Sequence, residues 1–367
     1  MLVTAVDNSA VVDKLAAALA GGPAVLPLSG EDPRAGELRA AMAPDEPTLP
    51  GTAVVVATSG STGVPKGVEL SADALAASAD ATHARLGGPG QWLLTLPAHH
   101  IAGVQVIVRS LLAGMVPVLR GTQAFADAVG TMTGVRRYTS LVPTQLLRLL
   151  DDPAGVDALR SFDTVLLGGA ATPAPLLERA RAARVRVSTT YGMSETSGGC
   201  VYDGRPLDGV RVRLVDGVIE LAGPVLASGY RLDPVGTAAA FVDGWFRTTD
   251  LGLLADGSLS VLGRADFMIN TGGVKVAPAA VEAVLSAQPG VAEVCVVGLE
   301  DAEWGQIVAA AVVPAGPEPD ADALRAAVRG RLGGPATPKV VRFVSALPLQ
   351  GPGKIDRIGV KDILRGT

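Results

Sequence analysis

The sequence predicts an α/β protein with a large N-terminal domain of αβ layers, a small β-rich part within it, and a small α+β domain at the C-terminal end. Three observations predict it. Between Thr52 and Gly192, short apolar runs alternate with Ala-rich helical stretches, the pattern of largely parallel sheets. From about Val210 the texture changes to paired strands that turn at Asp-Gly. After Gly263 two helical stretches surround two long apolar strands. The boundaries that follow are 1–264 for the first domain, with 205–264 as its β-rich part, and 265–367 for the second. At 367 residues the chain has ample material for such a division.

Taken in order, "TAVVVA" (Thr52 to Ala57) is β-branched and apolar and reads as a buried strand. The helix "SADALAASADATHARLG" follows, with Ser71 as N-cap, Asp73 in its first turn, and Gly87 and Gly88 as its stop. The longest apolar region, Trp92 to Leu119, is interrupted by Pro97, His99, His100, Arg109 and Pro117. It reads as a buried strand and helix, not a membrane span. "GMVPVL" and "YTSLVP" are strand-like, and "TQLLRLLDD" (144–152) is helical. "FDTVLLGGA" leads to the helix "PAPLLERARAA" (173–183), then the strand "VRVSTTYG" (185–192). "VRVRLVDGVIEL" (210–221) and "GLLADGSLSVLG" (252–263) are hairpins. "AAVEAVLSAQ" (279–288) and "ALRAAVRGRLG" (323–333) are helices around the strands "VAEVCVVGL" and "IVAAAVV", and "PAGPEPDADA" is a polar loop.

Composition narrows the function. There are 31 Lys and Arg against 36 Asp and Glu, a net charge of −5 with no basic run, which argues against nucleic acid. Cys200 and Cys295 lie far apart in no ligand-like spacing; they fit a reducing cytoplasm and read as inert core residues. Three histidines, two of them adjacent, argue against a histidine metal site. The N-terminal stretch carries Asp7 and Asp13 and no basic region before an apolar core, so it does not read as a signal peptide.

Five stretches bear chemistry. "TSGSTGVPKG" (Thr58 to Gly67) puts Gly60, Gly63 and Gly67, the hydroxyls of Thr58, Ser59, Ser61 and Thr62, and Lys66 on one loop. Glycines let backbone N–H groups converge on an anion, hydroxyls add donors, and the lysine adds a point charge, so the loop suits phosphate. A flexible Gly/Ser-rich surface loop is the plainer alternative. It is no Walker loop: Pro65 stands where that motif needs Gly, and Gly67 where it needs Ser or Thr. "TTYGMSET" follows a probable strand; Tyr191 suits a base and Glu195 is a hard oxygen ligand for Mg²⁺ carried by phosphates, or the stretch is a polar turn. "GWFRTTD" offers Asp250 to ribose hydroxyls, although a lone Asp is more often a turn residue. "GRADFMINTGGVKVAP" spans the change of texture and suits a hinge or an ordinary linker. "PLQGPGKIDR" carries Lys354 on a Gly/Pro-rich loop, where a lysine alone means little.

In this order the five, together with "ELAGPVLASGY" (Glu220 to Tyr230), resemble the adenylate-forming superfamily of acyl-CoA synthetases, adenylation domains and luciferases, from about Thr52 to Arg357. "LPAHHIAGVQVIVRSLLAG" and "YGMSETSGGCVYDG", with the short N-terminal part, are similar to the o-succinylbenzoate–CoA ligases of menaquinone synthesis. The resemblance implies a carboxylic acid, ATP with Mg²⁺, and CoA as the small-molecule partners, no membrane insertion, a cytoplasmic enzyme, and a homodimer as one candidate assembly. By the same resemblance, Thr58, Ser59, Gly60, Ser61, Thr62, Gly63 and Lys66 hold phosphates. Gly168, Gly169, Ala170, Thr190, Tyr191, Gly192, Met193 and Ser194 frame the nucleotide. Glu195 ligates Mg²⁺, and Asp250 and Arg264 hold the ribose. Lys354 bridges ribose and reacting carboxylate, and Asp266 is the hinge of a mobile C-terminal lid. His100, in "P-x-x-H-x-x-G", lines the acyl pocket with Ser197 and Gly198; His99 has no assigned chemistry. Three departures stand out: Thr249 where the family often has Gly, Phe267 where an acid is common, and Asn270 where a lysine is frequent. A CoA ligase for another aryl or short-chain acid, an enzyme that loads a carrier protein, and a non-catalytic nucleotide binder are the alternatives.

Overall fold

The computed structural model describes residues 2–5, 7–59, 65–349 and 355–366. The first sheet begins with β1 (Leu2–Ala5), helix α1 (Asn8–Leu19) and β2 (Ala24–Pro27), a parallel pair joined through a helix. After α2 (Ala35–Ala41), β3 (Thr52–Ser59) adds in parallel and β4 (Pro65–Ser71) pairs antiparallel with β3. β4, which had no signal of its own, therefore precedes the expected helix. α3 (Ala72–Leu86) starts where expected: the Ser71 hydroxyl accepts from the Ala74 N–H at 3.1 Å, and Gly87, at φ 89°, ends it in the left-handed region.

The second sheet holds β5 (Gln91–Leu94), β6 (Val118–Leu119), β7 (Arg137–Leu141), β8 (Thr164–Leu167), β9 (Val187–Met193), β10 (Gly198–Tyr202) and β11 (Arg205–Pro206). Its order is β11-β10-β9-β8-β7-β5-β6, parallel from β6 to β9. The helices between are α4 (Ile101–Leu112), α5 (Phe125–Gly130), α6 (Pro143–Leu150), α7 (Pro153–Arg160) and α8 (Ala174–Ala182). Two expectations shorten. "GMVPVL" contributes only Val118 and Leu119, since Pro117 has no N–H for a ladder. The helix expected over 144–152 ends at Leu150, because Asp152 caps α7 by accepting from the Ala154 and Gly155 N–H groups. Side chains of α1, α3 and α4 share one core with both sheets, including Leu15, Val54, Leu75, Trp92 and Ile107. Each such burial is worth about 1.5–3 kcal/mol relative to exposure. α5, α6, α7 and α8 cover a second core around Leu93, Leu141, Val165 and Leu167.

The β-rich part contains β12 (Arg211–Val215), β13 (Val218–Ala222), β14 (Gly229–Tyr230), α9 (Pro234–Ala240), β15 (Phe241–Val242), β16 (Trp245–Ala255) and β17 (Ser258–Arg264). Both expected hairpins form, and a third turns at Asp243-Gly244. Asp216, Asp243 and Asp256, each followed by Gly, all take φ near 50°, as a primed two-residue turn needs. β14 leaves this sheet and pairs with β4, so the β-rich part touches the edge of the first sheet.

The last sheet consists of β18 (Ile269–Thr271), β19 (Val274–Val276), β20 (Val291–Asp301), β21 (Gly305–Pro314) and β22 (Val340–Phe343). α10 (Pro278–Ser286) and α11 (Ala321–Leu332) pack on one face against Val296 and Val308. α12 (Arg357–Arg365) covers the other against Cys295 and Val297, the alternation expected of a strand buried on both faces. The expected strands lie within these bounds and the expected helices run one or two residues past the ends of α10 and α11, while β18, β19, β22 and α12 had no distinct signal. Among the described residues no helix is long and apolar enough to cross a membrane.

Candidate active site

The strands fix where the chemistry-bearing residues lie. Thr58 and Ser59 end β3, and Lys66 lies on β4; the Thr58 hydroxyl donates to the Lys66 carbonyl at 3.2 Å. Gly60, Ser61, Thr62, Gly63 and Lys354 lie outside the described residues. Gly67 is a packing requirement, since a Cβ there would sit 2.6 Å from Met42 Sδ and 2.9 Å from Arg231 Cβ. Tyr230 pairs with Val68 across β14 and β4, so Lys66 is its diagonal neighbour on the same face. The Lys66 ammonium lies 4.9 Å from the Tyr230 ring centre, and the Tyr230 hydroxyl donates to Glu195 Oε1 at 3.0 Å. Burial, then the Glu195 charge and hydrogen bond, pushes the Tyr230 phenol well up.

Glu195 sits in the short turn Ser194–Thr196, just past the carboxyl end of β9. Its carbonyl accepts from the Ala227 N–H at 2.8 Å, so the segment leading to β14 holds both its main chain and its side chain. Gly168, Gly169 and Ala170 leave the carboxyl end of the neighbouring β8. This is the edge at which parallel α/β sheets bind ligands. The approach is close: a Cβ on Gly168 would lie 2.3 Å from Thr190 Oγ1, and one on Gly192 would lie 2.1 Å from the Gly198 carbonyl. Met193 closes the turn through its N–H, which donates to Thr196 Oγ1 at 2.9 Å.

Asp250 is a strand residue, not a turn residue. It sits opposite Arg264 in the β16–β17 ladder and accepts from the Tyr191 hydroxyl at 2.7 Å. The Asp250 N–H donates to Thr248 Oγ1, which donates to the Ile219 carbonyl at 2.8 Å. Burial raises the Asp250 carboxyl above the ordinary range; the Tyr191 hydrogen bond and the Arg264 charge oppose that rise. Burial, then Asp250, also pushes the Tyr191 phenol up strongly. Tyr191, expected beside a base, thus has its hydroxyl held by the expected ribose acid. Arg264 reaches Asp266 in a two-point contact at 2.8 and 2.6 Å, which raises the guanidinium and lowers the Asp266 carboxyl. Phe267, the departure beside the expected hinge, lies between two guanidiniums, 5.2 Å from Arg264 and 5.3 Å from Arg357.

His100, expected to line an acyl pocket, is the N-cap residue of α4, and its N–H donates to the Pro97 carbonyl at 3.2 Å. The glycine of "P-x-x-H-x-x-G" has a steric reason: a Cβ on Gly103 would meet the Pro97 carbonyl oxygen at 2.1 Å. The His99 and His100 rings lie 4.3 Å apart, and burial lowers the His99 pKa against the opposing pull of Asp32. Gly198 backs onto α4, where a Cβ would lie 3.4 Å from Gln105 and 3.8 Å from Ile101. Ser197 is fully buried and its hydroxyl donates to the Val225 carbonyl at 2.8 Å. Its side chain is thus engaged inside the protein. Tyr230, although it ends the "ELAGPVLASGY" motif, and Thr248, which carries no signal of its own, had no expected role.

The family pattern described as AMP-binding enzyme matches residues 3–230, and that of the AMP-binding enzyme C-terminal domain matches residues 280–354. The chain belongs to the AMP-binding enzyme family. This AMP-binding enzyme is 52% identical to the probable 2-succinylbenzoate–CoA ligase of Mycobacterium tuberculosis over 317 residues, 83% of this chain and 82% of that protein. Its fold is similar to the o-succinylbenzoate CoA synthetase of Bacillus subtilis in complex with the acyl-adenylate intermediate OSB-AMP, with TM-score 0.76 and 29% identity over 96% of this chain and 80% of that one. A structure of the same Bacillus enzyme with ATP and magnesium ion gives TM-score 0.74 and 30% identity, covering 87% and 70%. The amide bond synthetase McbA of Marinactinospora thermotolerans gives TM-score 0.78 and 28% identity, covering 93% and 75%. This AMP-binding enzyme thus has the mixed α/β adenylate-forming fold, a large N-terminal domain with a small C-terminal one, and is an ATP-dependent adenylate-forming enzyme.

Proposed function

We propose that the enzyme ligates o-succinylbenzoate to CoA through an acyl-adenylate, giving o-succinylbenzoyl-CoA, AMP and pyrophosphate, and that it does so in the cytoplasm. The observation that carries this reading is the 52% identity to the Mycobacterium tuberculosis ligase across four-fifths of both chains. A carboxylate is a poor electrophile at neutral pH. Its oxygen attacks the α-phosphorus of ATP, pyrophosphate leaves, and the CoA thiol then attacks the acyl carbon as AMP leaves. The protein's part in the first half is positioning and charge neutralisation.

Thr58 to Lys66 hold the phosphates. Asp250 and Arg264 hold the ribose, for which Arg264 exchanges its contact with Asp266. Gly168 to Ala170 and Tyr191 frame the adenine. His100 and Gly198 line the acyl pocket. Lys354 bridges ribose and carboxylate, and residues 265–367 turn about Asp266 to exchange Lys354 for the CoA channel. Mg²⁺ fits Glu195: Tyr230 engages Oε1, no donor among the described residues engages Oε2, and one carboxylate with phosphates and water is the usual Mg²⁺ set. Bound there, the ion supplies neutralisation of phosphate charge.

The test is incubation of the enzyme with ATP, Mg²⁺, CoA and o-succinylbenzoate, with the thioester read by mass. Its formation with this acid, in preference to benzoate and short-chain acids, is the expected result. A thioester with other acids alone would discard the substrate and keep the class. The likeness to an amide bond synthetase favours a second reading, in which an amine takes the acyl group; AMP release that ignores CoA would favour it.

A further inference from the structure

We propose that Tyr230 is a positioning residue of the adenylation site that holds apart and orients the two groups facing the triphosphate, the Glu195 carboxylate and the Lys66 ammonium. This rests on the reading of Glu195 as the Mg²⁺ ligand. Lys66 is exposed and Glu195 half-buried, and opposite charges presented to one site attract. An ion pair between them would fill the carboxylate with Lys66 and leave neither group for metal or phosphate. Among the described residues Lys66 and Glu195 form no ion pair; the Tyr230 side chain lies between them.

Its two ends do different work. The hydroxyl donates to Glu195 Oε1 at 3.0 Å, which fixes the carboxylate plane and leaves Oε2 for the cation. Outer hydrogen bonds of this kind orient a ligating group. The ring face carries the Lys66 ammonium at 4.9 Å, within cation–π range. The ring is itself fixed by Phe241, edge-on at 5.8 Å, and by the pairing of β14 with β4. One residue later Arg231 anchors the strand: it donates to the carbonyls of Met42, Ala43, Glu46 and Pro47 and to Glu69. Tyr230 is thus a rigid spacer whose two faces serve opposite charges.

The test compares Y230F, which keeps the ring, with Y230L, which removes ring and hydroxyl, and with E195Q. Calorimetric titration measures ATP affinity with Mg²⁺ and with EDTA, and electron paramagnetic resonance measures Mn²⁺ affinity in the presence of a non-hydrolysable ATP analogue. Y230F is expected to weaken Mn²⁺ binding roughly 10- to 100-fold. Its ATP affinity in EDTA should match the parent, and excess Mg²⁺ should restore its kcat. Y230L is expected to lose the metal effect and also to weaken ATP in EDTA, because Lys66 loses its platform. If Tyr230 acts through Glu195, adding Y230F to E195Q changes Mn²⁺ affinity no further. An unaltered Mn²⁺ affinity in Y230F beside a loss in E195Q overturns the proposal alone. Equal weakening of ATP with and without metal in Y230F also overturns it, because that marks a merely structural role. No metal effect in E195Q overturns the ligand reading beneath it. Thermal unfolding of each variant confirms that the compared proteins are folded.

Discussion

Gly103→Ala isolates the link between a sequence motif and the acyl side of the site. A Cβ at 103 would lie 2.1 Å from the Pro97 carbonyl oxygen, 2.7 Å from its carbon and 3.0 Å from Ala98 Cα. All three are backbone atoms, so no side chain can turn away. Contacts under 3.0 Å are essentially never tolerated, so α4 and the Pro97 carbonyl must part by about 1 Å in a close-packed interior. His100 lies between them, as the N-cap of α4 and bonded to the Pro97 carbonyl, and must move with one of the two. Overpacking of this kind costs about 1–3 kcal/mol of stability. A displacement of about 1 Å at a positioning group costs about 100-fold in rate, close to 2.7 kcal/mol of barrier. Thermal unfolding should show a fall of a few degrees, with a folded protein at assay temperature. Steady-state kinetics should show kcat/KM for the acid down about 100-fold, with KM for ATP little changed. A folded variant with parent-like acid kinetics, or one equally impaired toward acid and ATP, would refute the reasoning.

Three other outcomes follow from particular contacts. Arg231→Met strands Glu69, 2% exposed, without its only guanidinium partner among the described residues, and should lower unfolding free energy by about 3–5 kcal/mol in urea titrations; a change under about 1 kcal/mol would contradict the anchoring role of Arg231. In its proposed role Asp250 accepts from both ribose hydroxyls as the carboxylate, the protonated form giving up part of that acceptor capacity, and its pKa is raised. The protonated form therefore persists to higher pH than for an ordinary Asp. Nucleotide affinity should fall with falling pH earlier than an unperturbed carboxylate predicts, and Asp250→Asn should be weak and flat across that window in fluorescence titrations. Cys200 and Cys295 are buried and pushed up to about 12, so about one thiol in ten thousand is ionised at pH 8. Iodoacetamide should leave both untouched in the folded enzyme and label both in urea.

Much of this architecture was legible because its signals are local. Ser71 with Asp73 and Gly87 marks a helix by its caps, and Asp216-Gly217 and Asp256-Gly257 mark hairpins by the φ their turns require. β4 was missed because "PKGVEL" opens with Pro and Lys and carries Gly67, a residue that breaks strand patterning and that the close approach of Met42 and Arg231 requires. Asp152 redirected a helix through a cap that competes with continuation. At the site, the identity of Glu195, Asp250 and Arg264 was visible in motifs, but their partners were not. The Tyr191–Asp250 and Tyr230–Glu195 bonds join residues 59 and 35 apart in sequence, and only the packing of the sheets sets them. The burial of the Ser197 hydroxyl is likewise a tertiary fact, since Val225 reaches it from the β-rich part.

The central claim is that the enzyme activates o-succinylbenzoate as an adenylate before CoA takes part. Exchange of labelled pyrophosphate into ATP, with CoA omitted, measures that step alone. The account predicts exchange that requires o-succinylbenzoate and Mg²⁺ and is abolished in E195Q. Exchange with no dependence on the acid, or none with o-succinylbenzoate where another carboxylic acid supports it, would contradict it.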